Sequence, residues 1–379
     1  MFGISVFNKN HFVGVDFGTS FIKIVELEYK NGSIYLSNYG WIEIPQKKKM
    51  GDFEIRDEFK DVEDKTYLLK KLISALNLKS KSAYLSMGSF KGLTALISVV
   101  DVKDGDLDEV IKIEANKYIP VSLDEIYLSS DIVSKRVEKK EEKTSELPNP
   151  ADNKKEVVEV LLVAAPKDDV HKYERIVEGS GLKVASFELD IFSVVRALIG
   201  DDLGKFLIVD IGAKITNIIL VDKGVIRVNR NINVGGDEVT KNIATNLNVS
   251  WDRAEEFKKK NNYLKEEGRS IVLPILNLIA KESKRMIELA QSTGGSNKPL
   301  DNVIIVGGGA DVPGIVEVFS GVLGVPVVIG NPLAKIIIEN DKIKDQVTDI
   351  SPLYAVAVGL ALKGINSLSI KNNNMQLNK

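Results

Sequence analysis

Phe12-Val13-Gly14-Val15-Asp16-Phe17-Gly18-Thr19-Ser20 decides how the rest of this chain is read, because the pattern returns as Phe206-Leu207-Ile208-Val209-Asp210-Ile211-Gly212-Ala213-Lys214. Each copy is a short apolar run that ends in Asp-x-Gly. Such an ending puts a carboxylate at the tip of a strand and a glycine in the tight turn, whose amides can approach an anion with no side chain between. The first copy continues into an alternating strand over 21–28, the turn Lys30-Asn31-Gly32-Ser33 and a return strand over 34–44. The second continues into 215–221, the turn Asp222-Lys223-Gly224 and 225–231. Asn-Gly suits a two-residue type I′ hairpin. Two equivalent meanders, 194 residues apart from Asp16 to Asp210, mark an internal duplication.

One Asp-x-Gly is ordinary turn chemistry. Two that face each other would clamp a polyphosphate from both sides, with Asp16 and Asp210 where a hydrated Mg²⁺ bridges the phosphates, since magnesium keeps most of its waters. Lys23, on the strand leaving the first turn, would point a cation at the same phosphates. Gly307-Gly308-Gly309-Ala310 follows an apolar strand over 302–306. It would let backbone lie flat against adenine or ribose, or is a plain strand-to-helix turn. Gly235-Gly236 opens a helix whose free amides would face phosphate or merely start the helix.

The remaining composition narrows the class. A chain of 379 residues is sized for two or three domains. With 51 basic against 53 acidic residues there is no basic field for nucleic acid, and no nucleic-acid partner is expected. No cysteine and only two histidines remove disulfides, thiolate metal sites and thiol nucleophiles, which suits a cytoplasmic chain. Helices are expected at 67–76 and at 107–118, the latter stopped by Pro120. Two charged stretches, 46–65 and 135–156, are expected as exposed insertions.

Taken in order, Asp16-Phe17-Gly18-Thr19 with Ser20 and Lys23, Asp210-Ile211-Gly212-Ala213 with Lys214 and Thr216, Gly307 to Ala310, and Ala355-Val356-Ala357-Val358-Gly359-Leu360-Ala361 resemble the phosphate, adenosine and connecting motifs of the actin, sugar-kinase and heat-shock-chaperone ATPases. The resemblance implies an α/β, actin-like ATPase fold: two duplicated lobes around a cleft for ATP or ADP with Mg²⁺, and an inserted α+β subdomain in the first lobe. Glu114-Ala115-Asn116-Lys117-Tyr118-Ile119-Pro120, Leu189-Asp190-Ile191-Phe192, Ala254-Glu255-Glu256-Phe257-Lys258 and Ile279-Ala280-Lys281-Glu282 with Arg285 further resemble the PilM family of type IV pilus machines. That family is related to the cell-division protein FtsA.

The narrower resemblance implies an adaptor at the cytoplasmic side of the inner membrane. It would bind the N-terminal cytoplasmic peptide of PilN and meet other pilus inner-membrane components, touching the membrane only through partners; self-assembly is a further expectation. Glu282 and Arg285 join the nucleotide residues. The expected domains are 11–96 with 186–204 and 351–364 as the first-lobe core, 97–185 as the partner-binding insertion, 205–240 with 301–350 as the second-lobe core, and 241–300 as its helical subdomain. A peptide groove is expected at Ile97, Val99, Lys117, Tyr118, Ile119, Pro120 and Leu123. Valine at 121, Ala213 and Lys214 depart from the usual pattern. FtsA-like proteins end in an amphipathic membrane helix, whereas 367–379 is polar, so the pilus reading is preferred. A sugar or small-acid kinase would need a second carboxylate motif with a polar sugar-reading cluster, which the sequence does not offer. No residue beyond the two aspartates stands out to orient a water, Asp237 being either a candidate for that role or the N-cap of its helix, so tight binding with slow or no turnover is expected.

Overall fold

The computed structural model describes residues 10–45, 49–50, 53–54, 62–102, 105–139, 154–260, 269–292 and 298–377. The chain forms two compact units, Ser89–His171 and the remainder, Met1–Gly88 with Lys172–Lys379.

The larger unit repeats one sheet design. In the first lobe, β1 (His11–Phe17), β2 (Phe21–Lys30) and β3 (Ser33–Glu43) form an antiparallel meander. A two-residue pair, β4 (Lys49–Met50) and β5 (Phe53–Glu54), follows it. β6 (Ser82–Met87) then pairs parallel with β1, and β10 (Lys183–Leu189) parallel with β6. In the second lobe, β11 (Lys205–Ile211), β12 (Thr216–Asp222) and β13 (Val225–Ile232) make the same meander. β14 (Asn302–Val306) joins β11 and β15 (Val327–Ile329) joins β14, both parallel. The duplication reaches the turns: Asn31-Gly32 and Lys223-Gly224 all have positive φ, the two-residue geometry that matches strand twist.

Apolar faces explain the layers. β1 is buried along its whole length, with α10 (Ala355–Leu377) over one face. There Gly14 is required, because a Cβ would overlap the Ala357 carbonyl. α10 also crosses α4 (Asp190–Leu198), where a Cβ on Gly359 would overlap the Ser193 carbonyl. Glu188 beside this crossing accepts from Arg196 at 2.6 Å and pairs with Lys363 at 2.8 Å, and those cations hold its carboxyl below the usual range against the opposing effect of burial. α1 (Val62–Leu76) lies against β3, its Leu72 and Leu76 resting on Gly40. In the second lobe, α5 (Gly236–Leu247), α6 (Trp251–Lys260), α7 (Arg269–Ser292) and α8 (Ile315–Leu323) cover the sheet, with Val239, Ile243, Ala254, Ile279 and Phe319 packed on Leu207, Val209 and Ile218.

Four boundaries differ from the sequence reading. Leu333, Ile336 and Val347 pack with Phe12, Val25 and Leu27, and Ile337 exchanges backbone hydrogen bonds with Ile34 and Leu36 at 2.8 and 2.9 Å. The chain thus returns to the first lobe before α9 (Asp341–Ile350), not after residue 350, because those apolar side chains complete the core under β1 and β2. The asparagine-rich tail is helical to Leu377, and α10 does not stop near 362. Among the described residues, one stretch, Ile343–Leu368, is long and apolar enough to cross a membrane by composition, and 67% of its apolar window is buried in the protein.

The smaller unit is a three-stranded sheet in the order β7 (Leu93–Val100), β9 (Lys154–Pro166), β8 (Ile126–Lys139), with α2 (Leu107–Ala115) packed on one face. It spans 89–171 and not 97–185, because β7 pairs from Leu93 onward while β10 belongs to the first-lobe sheet. α3 (Lys167–Gly179) leads from this unit into the larger one. α2 ends three residues short of the expected 118, and Ile119 folds back to donate to the Ala115 carbonyl at 3.0 Å. Within the charged stretches, 135–139 is strand and 62–65 begins α1. Residues 140–153 and most of 46–61 lie outside the described residues.

Candidate functional site

The two Asp-x-Gly turns are built alike. Gly18 donates its amide to the Phe21 carbonyl at 3.0 Å, and Gly212 donates to Ile215 at 3.0 Å. A Cβ would sit 2.7 Å from the second carbonyl oxygen, so that turn closes this tightly only with glycine, and 3.0 Å from the first, where a side chain would crowd the turn by a few tenths of an ångström. Directly paired residues share a sheet face, which sets Asp16, Lys23 and Trp41 in one row and Asp210, Asn217 and Asn231 in the equivalent row. Lys23 Nζ donates to Asp16 Oδ2 at 2.7 Å, and both side chains are mostly buried.

Asp210 lies within electrostatic reach of the first turn. Burial lifts its carboxyl to about 6, against the pull of Lys23 and a hydrogen bond from Asn217, with Asp16 adding to the rise. Lys23 and Asp16 belong to the first lobe, so the duplicated strand ends converge on one charged locus. Asn217 also donates from Nδ2 to Asp190 Oδ2 at 3.2 Å. A third carboxylate, at the start of α4, is thereby tied to the site. Motif reading missed Asp190 as a site residue because it opens an apolar helix with no glycine turn; an acid in a helix's first turn looks like a dipole partner.

Several expected ligand residues are engaged elsewhere. Thr216 is fully buried and its hydroxyl donates to the Val234 carbonyl at 2.7 Å, which fixes the approach to α5 rather than an anion. The first amides of α5 are not free, since Gly236 donates to Gly212 O at 2.9 Å and Asp237 to Ala213 O at 2.8 Å. Gly235 is glycine because a Cβ would come within 2.6 Å of both carbonyls. Ala310 lies in the second-lobe core. Gly307, at φ +84°, and Gly309 let the end of β14 close on β11: a Cβ on Gly307 would lie 2.5 Å from Asp210 Oδ1, and one on Gly309 would overlap Ile211. Gly308 alone of the three would accept a Cβ without a clash, in ordinary contact with Leu353 at 3.4 Å. Ser20 is buried and its carbonyl accepts from Ile44; Thr19 is half-buried and Lys214 exposed.

Asp237 is lifted by burial and lowered by Lys214 and Lys258, so it faces cations instead of capping the helix, whose cap is Gly235. Lys258, buried, donates to Thr240 Oγ1 at 2.9 Å, Glu255 Oε1 at 2.6 Å and Gly236 O at 3.3 Å. It pins α6 beneath the second turn. Glu282 and Arg285 do come together, at 2.5 Å, and Glu282 also faces Arg230 at 3.0 Å. Arg230 and Arg285 line a cavity of about 430 Å³ with Glu288 and Leu289. Arg230 carried no motif signal, being an ordinary polar position on an edge strand.

The expected peptide groove divides. Ile97, Val99 and Ile119 are buried in the small unit's core, packed between α2 and the sheet, and offer no surface. Lys117, paired with Glu114 at 2.6 Å, Tyr118 and Pro120 are exposed, and Leu123 is half-buried against the core. Among the described residues, no group of three or more His, Cys, Asp or Glu is arranged to hold a metal.

The family model described as Type IV pilus assembly protein PilM matches residues 14–365. The cell division protein FtsA of Bacillus subtilis (strain 168) is 24% identical over 361 residues, covering 86% of this chain and 79% of its own. The ethanolamine utilization protein EutJ of Escherichia coli (strain K12) is 27% identical over 144 residues, 38% of this chain and 47% of its own. Among solved structures, a PilM-PilN type IV pilus biogenesis complex superposes with a TM-score of 0.75 at 22% identity, over 93% of this chain and 98% of that one. EutJ from Carboxydothermus hydrogenoformans gives 0.53 at 18%, over 93% and 89%. The fold is that of the actin-like ATPases.

Proposed function

The chain belongs to the family of the type IV pilus assembly protein PilM, and from that premise we propose that it is a nucleotide-gated adaptor of the pilus inner-membrane machine, working at the cytoplasmic face. FtsA is a more distant relative, and the family model favours pilus assembly over cell division. The observation that carries the reading is the convergence of Asp16, Lys23 and Asp210 from two turns of identical construction. Gly18 and Gly212 would bring backbone amides to the phosphates, while Gly308 and the Glu282–Arg285 pair would meet the nucleoside.

Magnesium fits this donor set. Asp16 and Asp210 would hold it through water, the usual few-contact arrangement for this ion, and a cation there would relieve the raised carboxyl of Asp210. When bound, it would neutralise phosphate charge. Asp190, held through Asn217, would be the residue to orient a water, but nothing in the arrangement demands rapid turnover. Binding energy would serve to hold one lobe arrangement over another.

The small unit would receive the cytoplasmic N-terminal peptide of PilN, the partner named in the similar complex. Eight of the eighteen exposed large hydrophobics among the described residues lie in these 83 residues, including Ile113, Tyr118, Val121 and Ile132. Concentrated apolar exposure is what a peptide-binding surface requires. Capture of a PilN N-terminal peptide is expected to need Mg·ATP with the wild type and to weaken at least tenfold in Asp210→Ala. Equal capture with and without nucleotide would reduce the protein to an ungated scaffold.

A further inference from the structure

The short 3₁₀ turn Ser351–Tyr354 sits where the two lobes meet. On the second-lobe side, Gly307 donates its amide to the Pro352 carbonyl at 3.1 Å, and Gly308 faces Leu353. On the first-lobe side, the Tyr354 ring stands edge-on to Tyr39 of β3, with centroids 5.7 Å apart and planes at 89°. Tyr39 lies two residues from Trp41, on the face of β3 that carries the Asp16–Lys23 row.

Tyr354 is 1% exposed, and its hydroxyl is buried without a hydrogen-bond partner among the described residues. Burial accordingly drives its phenol upward, with Tyr39 adding to the rise. Buried tyrosine hydroxyls ordinarily find a partner, and one left unpaired disfavours the arrangement that contains it. Phenylalanine would keep the ring contact and avoid that penalty. The hydroxyl is therefore unexplained by packing alone, and its place beside the glycine turn offers a reason.

We propose that Tyr354 is a conformational sensor for the glycine turn: its hydroxyl is unpaired in the lobe arrangement seen here and gains a hydrogen bond in a second arrangement that ligand at Gly307–Gly309 favours. The route is short. A shift of the Gly307 amide moves the Pro352 carbonyl, and two residues later the Tyr354 ring turns against Tyr39. A group satisfied in only one of two arrangements adds its hydrogen bond to the ligand's differential affinity for that arrangement. The inference rests on the nucleotide reading of the site.

The test compares the full chain with Tyr354→Phe, by thermal unfolding without nucleotide and by calorimetric titration with Mg·ATP. The variant is expected to unfold at the same or a higher temperature, yet to bind Mg·ATP about three- to tenfold more weakly, the worth of one hydrogen bond. Equal affinities overturn the sensor and leave nucleotide binding standing. A lower unfolding temperature overturns it as well, because the hydroxyl then has a partner in the nucleotide-free protein. A wild type that does not bind Mg·ATP removes the nucleotide reading and the sensor together.

Discussion

Asp210 concentrates the chemistry of the site in one carboxyl. Its folded value of about 6 lies above the ordinary aspartate range of about 4. The sign follows: a raised acid favours the protonated folded state, so its share of stability is present at low pH and is lost as pH climbs from about 4 through about 6. Asp210→Asn is expected to be more stable than wild type at pH 8, by at most about 3 kcal/mol. The difference should close toward pH 4, as read by denaturant unfolding at the two pH values. A variant less stable at pH 8 would show that Lys23 and Asn217 outweigh burial. The same titration predicts that Mg·ATP binding weakens below about pH 6, where the carboxyl takes a proton. Asp16, Gly18, Lys23, Asp210 and Gly212 were legible because a strand end followed by Asp-x-Gly has a local signature that recurs. Asp190, Arg230 and Lys258 were not, since their role comes from which strand or helix packs beside them. Thr216 and Ala310 fit the motif in sequence, and what the sequence did not show is that their side chains turn into the fold.

At the scale of elements, the meanders and their hairpins follow from alternation and from Asn-Gly and Lys-Gly turns, and they stand as read. Pairing between distant segments was harder to see. Nothing in Leu333-Ala334-Lys335-Ile336 says that it crosses to the edge of β3; the reason is an apolar gap over Phe12 and Leu27 that only the folded chain reveals. The α4–α10 crossing depends on a missing methyl. Gly359→Ala would press a Cβ into the Ser193 backbone carbonyl, which cannot rotate away, so the helices must separate. Overpacking of this kind costs about 1–3 kcal/mol or more. Calorimetry on Gly359→Ala should show unfolding several degrees lower, and an unchanged midpoint would mean that the crossing tolerates a wider gap. The groove residues teach the complementary lesson. Ile97, Val99 and Ile119 alternate with exposed neighbours, and sequence alone could not say which side of the sheet α2 would cover.

For the whole molecule, duplication accounts for most of the length, with one inserted unit of 83 residues between β6 and β10. The division of labour proposed here is that the duplicated lobes read the nucleotide and the insertion reads the partner. That division stands or falls on whether the converging aspartates hold a nucleotide at all. Calorimetric titration of Mg·ATP into the full chain and into Asp16→Ala and Asp210→Ala tests it most directly. Saturable one-to-one binding by the wild type, weakened at least tenfold in each variant while both remain folded, is the predicted result. No heat of binding by the wild type, or equal binding by all three, would contradict the account.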